Sequence, residues 1–482
     1  MTESGKQPLE QTGAVRERSE SPARALGFRD LVLFYVVTGI SLRWIATAAA
    51  AGPSSIVVWI VAWAAFYVPL ALSVVELSSR YPDEGGLYVW SKRAFGGFAG
   101  FISAWTYWTS NLPYFPAILY FAASNALFVG GARWQALSSN RLYFLGFALI
   151  GLALPTVLNV MGLNLGKWLN NLGALGMWVP VLIVIALGLV SWHRFGAATH
   201  FTAGSLAPSL HLRDIIFWST LFYAFGGCEA ASFMGAEVKD ARRNIPRALL
   251  AGGTVVTLVY IAGTFFVLLA LPSSGVSDLQ GLIQAVTITG HRLGFAFLIP
   301  VVALLISLSN LGAAGAYLAA TARLPFVAGI DHYLPPAFGR LHPRYKTPHV
   351  AIWAQSIAGM VFIFLGQAGT SVRGAYEVLV SMSVITYFIP YLFVFASLIA
   401  LQRETAGPGV IRVPGGRPAA IGLGLLGFAS TTLTILLSLL PAPDEPNKPL
   451  AVLKVLGLTA VLLGVGVVIY WNAKARASRP LA

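Results

Sequence analysis

The chain has 482 residues, of which 57% are hydrophobic and only 10% are charged, and its mean hydropathy is +0.73. These values exclude an ordinary water-soluble protein and indicate a polytopic membrane protein. The formal net charge is +14. Most of the Lys and Arg residues fall on one side when hydrophobic segments are placed alternately across a membrane. This is the positive-inside pattern, and it needs no nucleic-acid partner.

The amino terminus shows no cleavable signal peptide. Residues 1–27 are polar and include Arg16, Arg18 and Arg24, so we predict a disordered cytosolic tail. The single cysteine, Cys228, excludes an internal disulfide and leaves no outer thiol for a disulfide-linked heavy subunit. We expect a multi-pass protein of the plasma or inner membrane with both termini in the cytoplasm.

Because a membrane-spanning helix needs roughly 20 apolar residues, the chain is predicted to contain about twelve spans. The predicted spans are 29–50, 56–78, 98–128, 142–160, 169–190, 215–236, 248–271, 295–321, 350–365, 378–401, 420–440 and 451–471. The third span contains Pro113 and Pro116 and should be long and bent. A short surface helix is predicted within 278–289, and 473–482 form a second cytosolic tail. The predicted fold class is therefore an all-α polytopic membrane protein.

The sixth span contains the most informative stretch, TLFYAFGGCEA at 220–230. Gly226 and Gly227 interrupt it near its centre, and Glu229 follows. In hydrocarbon, irregular backbone is tolerated only where it faces a cavity or a ligand, and an ionisable residue at membrane depth marks a functional site. A helix broken beside an acid is typical of transporter solute sites. The alternative is that the glycines only allow close helix packing and that Glu229 is structural.

The first span carries a corresponding interruption at Gly39, Ile40 and Ser41. Interruptions that stand five helices apart predict two inverted repeats with a site between them. We assign residues 28–191 to the first repeat and residues 210–401 to the second. Residues 419–472 are predicted to form two further helices, and residues 473–482 form the tail.

Three inner loops carry a family resemblance. They are VELSSRYPDEGGLYVW at 75–90, GAEVKDARRNIPRA at 235–248, and LPPAF followed by LHPRYKTP within 334–348. They resemble the loops after helices 2, 6 and 8 of amino acid–polyamine–organocation permeases. The resemblance implies the five-plus-five inverted repeat of the leucine-transporter-like fold, with helices 1 and 6 discontinuous. It also implies transport of an amino acid or related amine by alternating access.

In that family, a glycine–serine–glycine break in helix 1 binds the substrate carboxylate through exposed N–H groups and the positive end of the outer half-helix. The matching residues here are Gly39, Ile40 and Ser41, so Ile40 departs from the family pattern. The N–H group of Ile40 and the hydroxyl of Ser41 remain available for binding.

Arg43 follows at a position where the family has an aromatic-type residue. Its guanidinium is expected either to pair with a substrate carboxylate or to pair with Glu229 or Glu76 as a structural brace. Substrate pairing would favour an acidic or zwitterionic solute over a polycation.

Helix 6 matches the family more closely. Tyr223 falls where the family places an aromatic lid over the solute, and Ala224, Phe225 and Gly226 fall where unwound carbonyls receive the ammonium group. Glu229 matches a family acid beside the break. It is expected either to carry a coupling proton or to remain an ionised brace.

Helix 3 supplies the remaining candidates, Ser110, Asn111 and Tyr114, which align near the level of the breaks. They are expected to contact the substrate side chain or to form helix–helix hydrogen bonds. Ser383 and Tyr387 on helix 10 are further candidates.

Sodium coupling is not predicted. The sodium site of the wider fold uses hydroxyls on helix 8, and NLGAAG at 310–315 contains none. Met177 stands where some proton-coupled relatives carry a lysine on helix 5. Exchange, facilitated transport or proton coupling through Glu229 is predicted instead, with no metal and no cofactor.

Three other functions compete with amino acid transport. An enzyme is disfavoured because the seven histidines lie in loops or at helix ends without metal-ligand spacing, and no nucleophile elbow or phosphate loop is found. A non-transporting amino acid sensor stays open because the helix 1 motif is degraded. A polyamine or organic amine transporter would need several acids at membrane depth, and Arg43 opposes it. The expected partners are a small-molecule amino acid and membrane lipid, with the oligomeric state open.

Overall fold

The computed structural model describes residues 27–81, 86–209, 211–229, 238–277, 279–322, 324–325, 333–441 and 447–477. Several sequence predictions fall outside these residues. They concern the tail residues 1–26 and 478–482, residues 82–85 and 235–237 of the family loops, the inner end of the sixth span at 230–236, and part of the basic loop after the eighth span.

The described residues form helices joined by turns and loops. The helices are α1 Phe28–Gly39, α2 Leu42–Ala51, α3 Ser54–Ala62, α4 Val68–Arg80, α5 Leu87–Phe95, α6 Gly97–Thr109, α7 Asn111–Ala126, α8 Ala132–Gln135, α9 Arg141–Met161, α10 Leu163–Phe195, α11 Ala203–Leu206, α12 Leu212–Tyr223, α13 Ala241–Ala270, α14 Gly281–Leu293, α15 Leu298–Thr321, α16 His349–Gln367, α17 Val372–Leu401, α18 Gly416–Ser438 and α19 Lys448–Ala477. A π-helical turn, Trp63–Tyr67, joins α3 to α4 as one continuous helix.

Nine helices in the described part of the chain are long and apolar enough to cross a membrane. The all-α polytopic fold predicted from composition is therefore confirmed. The first, third and sixth predicted spans do not form single helices among the described residues. The first is divided between α1 and α2, the third between α6 and α7, and in the sixth α12 ends at Tyr223. The division of the chain into two inverted repeats stays a prediction.

The third span differs from the predicted long bent helix because it is divided at Ser110. Pro113 has no N–H group to donate to the carbonyl of Thr109, four residues earlier. The helical hydrogen-bond ladder therefore loses a bond where α6 ends. The second proline, Pro116, lies inside α7 without ending it.

Several helices run beyond the apolar windows that predicted them. The seventh span begins at Ala241 rather than near 248, and the tenth begins at Val372 rather than near 378. Backbone hydrogen bonding continues a helix past the membrane surface whether or not its side chains are apolar. Hydropathy therefore locates the membrane-crossing part of a helix but not its ends.

The predicted surface helix after the seventh span corresponds to α14, which begins at Gly281. It packs against α2, α10 and α15, and Leu282, Ile283 and Val286 on it are buried. Outer faces elsewhere carry large exposed apolar side chains, such as Leu142, which is 78% exposed. Such faces suit contact with lipid.

The interrupted segments lie inside the helix assembly. Helix α13 packs against both α1 and α2, and α12 packs against α2 and α3. Helices α7, α10 and α15 pack together beside them. This arrangement places the two interruptions next to each other.

Candidate functional site

The first interruption consists of Ile40 and Ser41, between α1 and α2. Tyr260 of α13 satisfies its backbone. The Tyr260 hydroxyl donates to the Gly39 carbonyl oxygen at 2.6 Å and accepts from the Ser41 N–H at 3.1 Å. Ser41 is the N-cap of α2 but makes no side-chain capping bond. The first N–H groups of α2 are thus not capped by the side chain that precedes them.

An aromatic stack fixes Tyr260 in place. The rings of Trp59 and Tyr260 are parallel, with centroids 4.5 Å apart. The indole N–H of Trp59 donates to the Thr264 hydroxyl at 3.1 Å. The Tyr260 hydroxyl also lies 3.5 Å from the carbonyl oxygen of Ala224, so one side chain reaches the backbone of both interruptions.

The second interruption follows Tyr223, and residues 224–227 form turns. Gly227 has φ 109°, a conformation that favours glycine. A Cβ atom at Gly226 would overlap the ring of Tyr387. Both glycines are therefore required by the local geometry, one for its backbone angle and the other for its close approach to α17.

Glu229 is fully buried beside this interruption. One carboxylate oxygen, Oε1, accepts hydrogen bonds from the hydroxyls of Tyr107 at 2.8 Å and Tyr387 at 2.9 Å. The other, Oε2, accepts from the N–H of Gly227 at 3.2 Å, which also donates to the Tyr391 hydroxyl at 3.1 Å. Glu229 thus connects α6, α17 and the second interruption.

A cavity of about 100 Å³ lies between the two interruptions. At about 30 Å³ for each water of the liquid, this volume exceeds that of a single water molecule. Its walls come from both interruptions and from α7, α10, α15 and α17. The lining residues are Gly39, Ile40, Ser41, Leu42, Arg43, Trp44, Ser110, Asn111, Tyr114, Gly173, Met177, Tyr223, Ala224, Gly226, Ser309, Asn310, Gly312, Ala313, Ala316, Tyr317 and Tyr387.

All the residues predicted to bind substrate line this cavity except Phe225 and the further candidate Ser383, whose hydroxyl donates to the Leu379 carbonyl oxygen at 2.8 Å. The Phe225 side chain is buried behind the wall. Its ring packs edge-on against Trp59 at 5.6 Å and lies 5.7 Å from the ring of Tyr67. Glu229, predicted as a coupling residue, also lies outside the lining.

Ser110 and Asn111 line the cavity but use their hydrogen-bond donors within their own span. The Ser110 hydroxyl donates to the Tyr107 carbonyl oxygen at 2.6 Å, and the Asn111 amide donates to the same oxygen at 3.1 Å. These bonds satisfy a carbonyl at the end of α6, where the helical ladder is interrupted. Their oxygen atoms remain as acceptors on the cavity wall.

Arg43 is the only charged residue among the described cavity-lining residues, and it is 1% exposed. Its Nε and Nη1 atoms have no hydrogen-bond partner in the described part of the chain. The guanidinium carbon lies 3.9 Å from the ring centroid of Trp44 and 5.0 Å from that of Tyr114. Cation–π contacts contribute about 2 kcal/mol when desolvated, whereas burying an unpaired charge costs several kcal/mol. The balance favours binding of an anion.

The two carboxylates considered as structural partners of Arg43 have other partners. Glu76 pairs with Arg80 at 2.6 Å and accepts from the Gln402 amide at 2.7 Å. Glu229 holds the tyrosine hydroxyls described above. Among the bonds of the described residues, neither acid is paired with Arg43.

Sequence reasoning missed several residues of the site. Tyr260, Tyr107 and Tyr391 hold the interruptions together, and Ser309 and Tyr317 line the cavity from α15. A tyrosine in the middle of an apolar span is a usable signal, because its hydroxyl needs a partner at that depth. Ser309 stands one residue before the stretch 310–315, which contains no hydroxyl side chain.

No group of three or more His, Cys, Asp or Glu residues placed to hold a metal ion occurs in the described parts of the chain. The site therefore consists of backbone dipoles, hydroxyl and aromatic groups, and one guanidinium.

Comparison with known proteins agrees with the resemblance carried by the three inner loops. The sequence pattern of a family described as amino acid permease matches residues 26–462. The chain is 27% identical to an uncharacterized transporter of Legionella pneumophila, over 88% of this chain and 91% of that protein. It is 25% identical to the glutamate/serine transporter AimA of Bacillus subtilis, over 94% of this chain and 82% of that protein.

A third relative shares only part of the chain. The probable agmatine/putrescine antiporter AguD of Lactococcus lactis is 29% identical over 50% of each protein. The family match covers most of the sequence, and nine of the described helices can cross a membrane. The chain therefore belongs to the amino acid permease family and is a multi-pass membrane transporter of that type.

Proposed function

We propose that the chain is a secondary active transporter that moves an amino acid across the plasma or inner membrane by alternating access. The substrate lies between the interruptions of the first and sixth spans. The observation that carries this proposal is the cavity between them. It is lined on one side by the start of α2 and on the other by Tyr223, Ala224 and Gly226.

The two ends of the cavity suit the two charges of a zwitterion. The start of a helix carries partial positive charge and unpaired N–H groups, which stabilise a carboxylate. The end of α12 carries partial negative charge, which stabilises an ammonium group. Tyr223 packs edge-on against Trp44 at 5.4 Å and against Tyr387 at 5.5 Å, so these rings enclose the solute.

We propose exchange or proton-linked transport rather than sodium coupling. No carboxylate is among the described residues of the cavity wall, and hard cations are bound by oxygen ligands that usually include carboxylates. Glu229 is the buried acid beside the second interruption. Protonation would remove the negative charge that orients the hydroxyls of Tyr107 and Tyr387, which links proton binding to the geometry of the interruption.

A polyamine or organic amine transporter is the rival function, because one relative is a probable agmatine/putrescine antiporter. Arg43 argues against it. A guanidinium in the cavity repels a polycation, and no described carboxylate of the lining offsets that repulsion.

Transport into proteoliposomes tests the proposal. The full-length purified chain is reconstituted, and uptake of each radiolabelled amino acid is measured with and without unlabelled amino acid inside. The measurement is repeated with an inward proton gradient and with potassium replacing sodium. We expect saturable uptake that internal substrate or the proton gradient stimulates and that sodium does not affect.

The Gly226→Leu variant is the negative control, since its side chain would overlap Tyr387. Binding of an amino acid without flux would instead identify a sensor. Uptake of putrescine with no uptake of amino acids would identify an amine transporter.

A further inference from the structure

We infer that the transported solute is an acidic amino acid and that Arg43 binds its second carboxylate. This inference rests on the proposed function and specifies its substrate class. It identifies Arg43 as the residue that distinguishes acidic from neutral amino acids.

The guanidinium of Arg43 has donors to spare. It lines the cavity, it is 1% exposed, and its Nε and Nη1 atoms have no hydrogen-bond partner among the described residues. The guanidinium contacts the ring faces of Trp44 on α2 and Tyr114 on α7, which accept no conventional hydrogen bonds, and it donates to the Tyr223 hydroxyl. Its Nε and Nη1 atoms remain without a partner among the described residues. A carboxylate is the ligand group that matches a buried guanidinium best.

The cavity offers a separate position for the first carboxylate. The uncapped start of α2 faces it at Ser41 and Leu42, and the end of α12 suits the ammonium group. A neutral amino acid would use both positions and leave the Arg43 charge unmatched. An acidic amino acid supplies one further negative charge, which neutralises it.

The wall beside the guanidinium also suits a side-chain carboxylate. Tyr114 of α7 lies 5.0 Å from the guanidinium carbon, and its ring is 5.1 Å from that of Tyr317 on α15. The guanidinium therefore lies between α2 and α7, and it also reaches Tyr223, the last residue of α12.

Competition between glutamate and glutamine tests the inference, because the two solutes differ only in the terminal carboxylate. Unlabelled glutamate and glutamine compete with L-[³H]glutamate for uptake by the full-length chain in proteoliposomes. We expect glutamate to compete about 10- to 100-fold better than glutamine, the range for a hydrogen-bonded charged group.

Substitution of Arg43 should remove that preference. In Arg43→Gln, the affinities for unlabelled glutamate and unlabelled glutamine are expected to differ by less than about threefold. Arg43→Lys should restore part of the preference for glutamate. Arg292→Gln makes the same change at an exposed position outside the cavity and should keep the wild-type ratio. Thermal unfolding of each purified variant checks that it is folded.

The outcomes separate the inference from the proposed function. Saturable amino acid uptake in which glutamine competes as well as glutamate overturns the inference and leaves the proposed function intact. A preference for glutamate that survives in Arg43→Gln overturns the role of Arg43. Absence of uptake for every amino acid overturns both. The ratio of glutamate to glutamine competition is measured on the wild-type chain. It can therefore overturn the inference even if Arg43→Gln does not fold.

Discussion

The two interruptions each carry one buried charge, and the two charges are in opposite situations. Glu229 beside the second interruption accepts three hydrogen bonds of 2.8 to 3.2 Å from two tyrosines and a backbone N–H. Arg43 beside the first lines the cavity, and its Nε and Nη1 atoms have no partner in the described structure. A buried charge with all its partners supports the fold, whereas one that keeps free donors at a cavity supports binding of a ligand.

This contrast predicts opposite effects on stability. Removing the Glu229 carboxylate leaves its hydrogen-bond donors without an acceptor. Removing the Arg43 guanidinium removes a buried charge whose desolvation cost is not offset by an ion pair. Substitutions at Glu229, Arg43, Arg80, Tyr260 and Glu404 examine the contrast.

The largest effect is expected for Glu229→Ala. It leaves the hydroxyls of Tyr107 and Tyr387 without their acceptor and should lower the free energy of unfolding by about 3–5 kcal/mol. Glu229→Gln keeps an acceptor and should lose less. Denaturant unfolding in detergent measures both. A loss below about 1 kcal/mol for the alanine variant would contradict a structural role for this cluster.

Arg43→Met should have the opposite sign. The empty transporter is expected to gain about 1–2 kcal/mol, because replacing an unpaired buried charge by an apolar side chain of similar length removes its desolvation penalty. Glutamate binding should weaken by about 10- to 100-fold at the same time. The same unfolding assay without substrate measures the gain.

Arg80→Met is the matched control for that substitution. Arg80 pairs with Glu76 at 2.6 Å, so its removal leaves a buried acid unpaired and should destabilise the protein by about 3 kcal/mol. Equal destabilisation by both arginine substitutions would show that Arg43 is a structural brace.

Tyr260→Phe examines the backbone of the first interruption. The variant loses the hydroxyl that serves Gly39 and Ser41 and should lower the free energy of unfolding by about 1 kcal/mol while raising the KM for substrate. Tyr143→Phe removes one hydroxyl bonded to the Ala123 carbonyl at 2.8 Å, away from the cavity. It should cost similar stability with an unchanged KM. Matching KM values for the two variants would rule out a positioning role for Tyr260.

The smallest effect is expected at the exposed ion pair of Arg93 and Glu404. The hydrogen bond from Tyr81 and the charge of Arg93 hold the pKa of the Glu404 carboxyl below its ordinary value. The stability that Glu404 contributes is therefore full above the unfolded pKa of about 4.3 and is lost as the pH falls through the lower folded pKa. Glu404→Gln should be less stable than wild type by under about 1 kcal/mol at pH 7.

Thermal unfolding across the pH range checks the sign of this effect. The difference between Glu404→Gln and wild type should shrink as the pH falls below about 4. A difference that stays constant down to pH 3 would show that it does not depend on ionisation of Glu404.

Composition and three loop segments are enough to predict the membrane class and the family, because hydropathy and loop chemistry are local properties of the sequence. The glycine pattern also lies close to the ends of two helices: α1 ends at Gly39, and α12 ends at Tyr223, three residues before Gly226. Glycine marks such places through backbone geometry that no other residue adopts readily.

The partners of these residues could not be predicted in the same way. Tyr260 is 219 residues from Ser41, and Tyr387 is 158 residues from Glu229. Such pairs depend on how distant helices pack. The sequence left Arg43 with two possible roles for the same reason, since Glu76 and Glu229 have partners that only the folded chain reveals.

A density map of the full-length chain in lipid nanodiscs with saturating L-glutamate tests the central claim most directly. We expect ligand density between the start of α2 and the end of α12, with one carboxylate within about 3 Å of the first N–H groups of α2. Ligand density elsewhere in the protein would contradict it. So would continuous helices through residues 39–42 and 223–227 with no cavity between them.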